Sequence, residues 1–195
     1  IRERVSDGTV MIDVQGSEVG QVNGLSVLAI GGHEFGQASR ITARVFSGRD
    51  GVISIDREVK LSGPIHDKGA MILAGFMNGT FGLSGPLAMS ATIAFEQMYG
   101  GVDGDSASLA ELLVLLSALA DYPLSQAIAV TGSVNQHGEV QAVGGVTHKI
   151  EGFYDLCATD GLTGAQGALI PASNVRHLTL RWDVAQAIAE GRFHV

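Results

Sequence analysis

A short glycine-rich segment, GGVDGDSAS at residues 100–108, places two carboxylates and two hydroxyls directly before an almost wholly apolar helix. Ser108 and Glu111 have the S-x-x-E spacing of a capping box, which predicts that the helix begins near Ser108. Ser106 then lies just outside the first turn, where free backbone N–H groups and the positive end of the helix dipole would stabilise an oxyanion. The segment therefore makes Ser106 a candidate nucleophile for an acyl transfer.

The same segment has two other interpretations. Ser106 can be a spare helix cap, with Asp103 and Asp105 as partners of the helix dipole. A glycine turn at a helix N-terminus can also hold a phosphate, but the two carboxylates would repel a triphosphate and the chain has no G-x-x-x-x-G-K-[ST] motif. Taken alone, the segment leaves the cap and the nucleophile open.

A nucleophilic serine needs a base, and six histidines are present. The order G-D-S-A-S departs from the G-x-S-x-G elbow of hydrolases, and His33-Glu34 lacks the second histidine of a zinc-protease helix. No other histidine or cysteine spacing indicates a metal site. Lys149 is the other candidate, because it lies at the edge of an apolar stripe on a predicted helix, where desolvation lowers the pKa of an ammonium. A lysine that extends along apolar surface to solvent is the structural alternative.

The elements that position these residues follow from apolar periodicity and from glycine, which occurs 27 times. The patterns predict strands at 9–14, 24–29, 39–45, 87–95 and 167–170, a hairpin at 127–143 with its turn near His137-Gly138, and helices at 65–78, 108–120, 146–159 and 184–190. Because strands and helices mix without strict alternation, the expected fold class is α+β. The chain has no repeats or linkers, which predicts one domain over residues 1–195.

Composition narrows the classes of function. With 195 residues, 46% of them apolar and 16% charged, the chain can bury a substantial core. A net charge of −8 with scattered lysines and arginines argues against nucleic-acid binding through this domain. The single cysteine, Cys157, excludes an internal disulfide, suits a reducing cytoplasm and is interpreted as apolar filler on a helix. No apolar run approaches the ~20 residues that span a membrane and no signal peptide opens the chain, so we expect a soluble, cytoplasmic protein.

The motif GDSAS, followed later by the lysine of TGSVNQHGEVQAVGGVTHKIEG, resembles the proteolytic domain of Lon proteases. VNGLSV, GPIHDKGAMILAGFM, FEQMYGGVDGDSAS and ALIPASNV resemble Lon segments in the same order, so the resemblance covers nearly the whole chain. It implies the Lon proteolytic domain fold, related to the ribosomal protein S5 domain 2 group. It also implies a serine endopeptidase for unfolded or damaged polypeptides, in which Ser106 attacks the scissile carbonyl and Lys149 accepts its proton.

Further expectations follow from the resemblance. Thr131, in AVTGSV, would orient the Lys149 amine by a hydrogen bond, with an ordinary strand residue as the alternative. The family implies a homo-oligomer, a hexameric ring around an enclosed chamber, and no metal or organic cofactor in this domain. Because residue 1 is Ile and regular patterning starts at once, we expect a C-terminal piece of a longer chain, with any use of ATP in a module outside it.

The chain departs from the most widespread Lon type, which carries P-S-A-G around its nucleophile. Here Asp105 precedes Ser106, as in the archaeal-type and Lon-like groups. Three roles are open for Asp103 and Asp105: holding an inactive arrangement, pairing with Lys149, or shaping the turn. Pairing would raise the pKa of the amine and disable the base until the turn rearranges, which makes a switch triggered by substrate or assembly a hypothesis.

Two histidines, His66 and His148, need separate interpretations. His148 points about 100° away from Lys149 on an ideal helix and is predicted to be structural, whereas the role of His66 is open.

Two other functions compete with the protease. The first is a small-molecule kinase of the galactokinase–mevalonate kinase type, which shares the broad fold and a GSSAS-type turn and predicts ATP binding to this domain. The second is a non-catalytic oligomerisation or chaperone module, which predicts an intact ring without hydrolysis.

Overall fold

The computed structural model describes residues 9–82 and 88–195. Its strands are β1 (Ser17–Glu18), β2 (Gln21–Ile30), β3 (His33–Ser47), β4 (Gly51–Ser54), β5 (Met89–Phe95), β6 (Leu124–Ser125), β7 (Ile128–Val130), β8 (Ser133–Val134), β9 (Val140–Gln141) and β10 (Gly167–Leu169). The central sheet has six strands in the order β10-β7-β2-β3-β5-β4, and two small sheets pair β1 with β6 and β8 with β9. Antiparallel β2–β3 and β3–β5 pairs sit beside parallel β2–β7, β7–β10 and β4–β5 pairs, so the sheet is mixed.

Helices cover both faces of this sheet. They are α1 (Ile55–Glu58), α2 (Pro64–Phe81), α3 (Ser108–Ala120), α4 (Val146–Asp160) and α5 (Trp182–Ala189), with a 3-10 helix at Ala172–His177. Successive strand residues face opposite ways, so Val130 of β7 packs with α2 and α3 while Ala129 packs with α4 and α5. The predicted α+β fold class is confirmed. Among the described residues, none of the helices is long and apolar enough to cross a membrane.

Most predicted elements are found. The helices predicted at 65–78, 108–120, 146–159 and 184–190 correspond to α2, α3, α4 and α5, and the strands predicted at 24–29, 39–45 and 167–170 correspond to β2, β3 and β10. The strand predicted at 87–95 is β5, which begins at Met89, and Leu87 lies outside the described residues. Elements as short as β1, β4, β6 and α1 were not predicted, because a few residues cannot display a period.

Residues 9–14 do not form a strand, so that prediction is wrong. Ile12 and Val14 are buried, as an alternating pattern predicts. However, the main chain of this segment bonds to the side chains of Gln97 and Asn23 instead of to a neighbouring strand. Alternating burial alone does not reveal which partner satisfies the backbone.

The hairpin predicted at 127–143 is only partly confirmed. Its first strand, β7, enters the central sheet parallel to β2 and β10, and the antiparallel pair is β8 with β9. Gly138 lies in the turn of that pair with a φ of +82°, as the prediction of a turn near His137 required. Ala129 and Val130 are almost completely buried, which is typical of a strand inside a parallel arrangement covered on both faces.

Helix α4 lies directly on β3 where Gly36 and Gly152 meet. A Cβ added at Gly152 would overlap the backbone carbonyl of Gly36, and a Cβ added at Gly36 would overlap the backbone carbonyl of His148. Only glycine at both positions permits this approach. The contact fixes the height of α4 above the sheet, and with it the height of Lys149, which lies in the first turn of α4.

Candidate active site

Ser106 lies in the turn that leads into α3. The N–H of Ser108 donates to the carbonyl of Asp105 at 3.1 Å, which closes this turn around Ser106. The carbonyl of Ser106 accepts hydrogen bonds from the N–H of Gly132 at 2.9 Å and from Thr131 Oγ1 at 3.1 Å. The backbone of Ser106 is therefore hydrogen-bonded to the connection between β7 and β8, whereas its side chain is only half-buried.

The helix begins at Ser108 as predicted, but the predicted capping box is wrong. The N-cap is Ala107, and Ser108 Oγ accepts a hydrogen bond from the N–H of Val134 at 2.9 Å. Glu111 is buried, and its Oε1 lies 3.2 Å from His66 Nε2. Ser108 and Glu111 therefore contact β8 and α2, not the N-terminus of their own helix, although their spacing predicted a local cap.

The backbone donors near Ser106 are also arranged differently from the expectation. The N–H of Leu109, in the first turn of α3, donates to the carbonyl of Gly132 at 3.1 Å and is not free for an oxyanion. The N–H groups of Asp105 and Ser106 make no hydrogen bond with any described residue. These two donors in the turn, rather than the helix end itself, are available to a negatively charged oxygen.

Lys149 reaches Ser106 from α4. Its Nζ lies 3.0 Å from Ser106 Oγ and 3.0 Å from Thr131 Oγ1, and the residue is only 2% exposed. The predicted apolar stripe is confirmed by the burial of Val146, Ile150, Phe153 and Cys157. Burial lowers the pKa of Lys149 from 10.5 to about 8, although the negative charge of Asp105 acts in the opposite direction. With this pKa, about a tenth of the amine is neutral at pH 7, far more than for an exposed lysine, and the neutral fraction reaches about half at pH 8.

Thr131, which is completely buried directly after β7, is hydrogen-bonded to this amine. Its hydroxyl donates to the carbonyl of Ser106, so its oxygen is left to accept from Lys149. A neutral amine has two protons and one lone pair. With one N–H directed at Thr131, the lone pair can face the hydroxyl of Ser106. Thr131 thus has polar contacts that an ordinary strand residue would lack.

Asp103 shapes the turn and does not touch the amine. Its Oδ1 accepts from the N–H of Gly104 at 2.8 Å and from the N–H of Ile65 at 3.2 Å. The N–H of Gly104, followed by those of His66 and Ile65, holds the pKa of Asp103 below its ordinary value. Asp103 therefore supplies α2 with a cap from another part of the chain.

Asp105 also lacks the pairing that the switch hypothesis needs. Its Oδ2 accepts a hydrogen bond from Ser133 Oγ at 2.8 Å. Among the side chains that the structure describes in residues 9–82, 88–159 and 161–195, no carboxylate lies within ion-pair distance of Lys149. The arrangement is not one in which a salt bridge disables the base, and Asp105 influences Lys149 only through space.

The two histidines do not contact Ser106 or Lys149. His66 is buried between α2 and α3, edge-on to Phe95 with the ring centroids 5.4 Å apart. Burial acts to lower the pKa of His66, but the adjacent carboxylate of Glu111, with the more distant Asp56 and Asp67, outweighs it, so the pKa is raised. His148 is partly exposed, 3.7 Å from Glu34. Both positions fit structural roles, as was predicted for His148.

A cavity next to Ser106 was not predicted. It has a volume of about 30 Å³ and shares Ser26, Met98 and Val102 with an adjoining groove of about 320 Å³ between β2 and residues 97–103. The cavity walls include Leu25, Ser26, Phe95, Met98 and Val102. These residues belong to three separate segments, and no local pattern brings them together. The described residues hold no cluster of three or more His, Cys, Asp or Glu side chains suited to a metal ion.

Comparison with known proteins identifies the family. Residues 99–191 match the family described as Lon protease (S16) C-terminal proteolytic domain. The chain is 45% identical over 197 residues to a Lon protease homolog of Escherichia coli (strain K12), covering 100% of this chain and 34% of that protein. It is 48% identical over 188 residues to a Lon protease homolog of Haemophilus influenzae, covering 95% of this chain and 31% of that protein.

An archaeal Lon protease of Thermococcus kodakarensis is 30% identical over 181 residues, with 91% of this chain and 26% of that protein covered. The chain thus spans about a third or less of the length of these relatives. The likenesses do not favour the kinase or the non-catalytic module. They agree with the mixed sheet and with the residues gathered around Ser106, and the chain therefore belongs to the Lon family as a Lon-type serine protease domain.

Proposed function

We propose that the chain is an endopeptidase domain that cleaves unfolded or damaged polypeptides with Ser106 as nucleophile and Lys149 as general base. The observation that carries the proposal is the position of Lys149 Nζ, 3.0 Å from both Ser106 Oγ and Thr131 Oγ1, in surroundings that lower its pKa to about 8. A serine hydroxyl next to a buried, largely desolvated amine is the arrangement that activates a weak nucleophile.

The reaction follows from these contacts. Lys149 accepts the hydroxyl proton as Ser106 Oγ attacks the scissile carbonyl, and the N–H groups of Asp105 and Ser106 stabilise the resulting oxyanion. The ammonium then gives its proton to the leaving amine, which frees the first product and leaves an acyl-enzyme. A water molecule, deprotonated by the same amine, hydrolyses the acyl-enzyme and restores Ser106. Thr131 keeps the amine directed at Ser106 throughout.

The surroundings of Ser106 suit an extended chain. The cavity is too small to enclose a substrate side chain, but its apolar walls at Leu25, Phe95 and Met98 offer a surface next to the scissile bond, and the adjoining groove of about 320 Å³ has room for substrate residues.

We further propose, from the likeness to Lon proteases, that the protein works in the cytoplasm in quality control, as a homo-oligomer in the form of a hexameric ring. Neither a metal nor an organic cofactor is needed for the steps assigned to Ser106 and Lys149, and any ATP would be used by a module outside this chain.

The proposal is tested by hydrolysis of unfolded casein and of a fluorogenic peptide, with and without ATP. Wild type is expected to cleave both, and Ser106→Ala is expected to retain no more than about 10⁻³ of the rate. Ser173→Ala, at an exposed serine in the 3-10 helix, is the matched control and should behave as wild type. Cleavage that survives in Ser106→Ala would refute the assigned nucleophile.

A second prediction concerns pH. Because only the neutral amine can accept a proton, kcat/KM is expected to rise with pH and to level off above about 8, the pKa of Lys149. Asp105→Asn removes a negative charge that raises this pKa, while its amide oxygen can still accept from Ser133. The rising limb should therefore move to lower pH. Profiles of kcat/KM for wild type, Asp105→Asn and the exposed control Asp121→Asn measure this, and a shift to higher pH would contradict the effect assigned to Asp105.

A further inference from the structure

Gln97, in the turn after β5, joins residues 9–11 to the wall of the Ser106 cavity. Its Oε1 accepts from the N–H of Met11 at 2.8 Å, and its Nε2 donates to the carbonyl of Thr9 at 3.0 Å. One side-chain amide therefore pairs with a donor and an acceptor on alternate residues, as the backbone of a neighbouring strand would. We call these two hydrogen bonds the Gln97 clamp.

The backbone at Gln97 is in an unusual conformation. Its φ is +56°, in the left-handed region that residues other than glycine, asparagine and aspartate seldom adopt. Such conformations persist only where the surrounding contacts impose them. Here the side chain of Gln97 is directed to residues 9–11, whereas the next residue, Met98, lines the cavity next to Ser106 and packs against the apolar core.

The segment to which Gln97 is hydrogen-bonded is itself held in place by other contacts. Asp13 forms an ion pair with Arg40 at 2.7 Å, and its backbone carbonyl accepts from Asn23 Nδ2 at 2.7 Å. Ile12 is buried in the core next to α4 and α5. The segment is therefore a fixed support on the sheet, and the clamp ties the turn before Met98 to that support.

We propose that Gln97 is a positioning residue of the active site: the Gln97 clamp holds Met98 in the cavity wall beside Ser106 and so determines which substrate side chains the cavity accepts. The consequence for cleavage rests on the function proposed above, whereas the effect on Met98 does not. When the clamp is absent, the turn can relax, Met98 retreats from the wall and a large apolar side chain loses its complementary surface.

The test uses Gln97→Asn. Asparagine tolerates a positive φ and keeps an amide, but it is one methylene shorter and cannot reach residues 9–11. With a peptide that has leucine before the scissile bond, KM is expected to rise about tenfold with little change in kcat, since the lost contact binds ground state and transition state alike. A peptide with alanine there should change less. Gln186→Asn, at a partly exposed glutamine of α5 whose Nε2 donates to Glu190 far from the cavity, is the matched control, because it also shortens a hydrogen-bonded amide.

A measurement independent of cleavage separates this inference from the proposed function. With ¹³C in the ε-methyl groups of the five methionines, Met98→Leu assigns the Met98 signal, which is expected to shift in Gln97→Asn and to stay in place in Gln186→Asn. An unshifted Met98 signal overturns the proposal. An equal loss for the leucine and alanine peptides overturns its specificity. If wild type cleaves neither peptide, the proposed function fails, and the Met98 signal still decides whether the clamp positions the wall.

Discussion

Replacement of Lys149 by methionine is expected to lower kcat for a fluorogenic peptide by about 10³ or more while the chain stays folded. A general base contributes about 10²–10⁴ to the rate, and a nucleophile that loses its base loses most of its reactivity. Methionine is unbranched like lysine, is one heavy atom shorter and suits a site with 2% exposure, so the substitution removes the proton acceptor and leaves little empty space.

Two further variants make this result specific to proton transfer. Lys149→Arg keeps the positive charge but cannot act as a base near neutral pH, and it is expected to be as inactive as Lys149→Met. Lys68→Met, at an exposed lysine of α2, should leave kcat unchanged. Steady-state kinetics, with circular dichroism to verify folding, measures these effects. A largely active Lys149→Met would exclude lysine as the base, and an active Lys149→Arg would show that charge alone suffices.

Gly152→Ala is expected to lower the free energy of unfolding by about 3 kcal/mol, because the added methyl group would overlap the carbonyl of Gly36 and that backbone cannot move aside cheaply. The effect opposes the usual one, since alanine in a helix interior is favoured over glycine by about 1 kcal/mol. Lys149 lies one turn before Gly152, so activity should fall further than the loss of folded protein explains.

Gly79→Ala is the matched control, because Gly79 is also inside a helix but has no atom within 4 Å of the added Cβ. It is expected to be neutral or stabilising. Urea denaturation of the three proteins, with the midpoint and slope compared, measures the difference. A Gly152→Ala protein as stable as Gly79→Ala would contradict the close approach of α4 and β3.

The long helices could be predicted because their apolar periodicity decides their position without distant partners. Helix α3 was predicted with its observed bounds, and the stripe that buries Lys149 was visible in α4. Local patterns could not reveal what distant segments do. Ser108 and Glu111 have the spacing of a cap but bind β8 and α2, and residues 9–14 alternate like a strand but are held by side chains.

In the candidate site, too, local patterns indicated single residues but not the contacts between distant segments. Ser106, Thr131 and Lys149 each had a plausible structural role. The residue types suggested Lys149 as a base for Ser106, but only the resemblance to Lon proteases added Thr131, and only the structure places the three within hydrogen-bond distance of one another. The ion pair between an aspartate and Lys149 was one of three open roles, and the structure instead directs Asp103 to α2 and Asp105 to Ser133. Such choices depend on turn geometry that composition does not encode.

The parallel pairing of β7 with β2 has a consequence for the order of events during synthesis. Gln21 and Gln126, which hold these strands together, are separated by 105 positions in the chain. Contacts of such long range bear the full entropy of loop closure and form slowly. Thr131 directly follows β7, and Lys149 comes later still. In the proposed mechanism, Ser106 of a nascent chain therefore has no base until β7 has joined the sheet and α4 has been synthesised and packed.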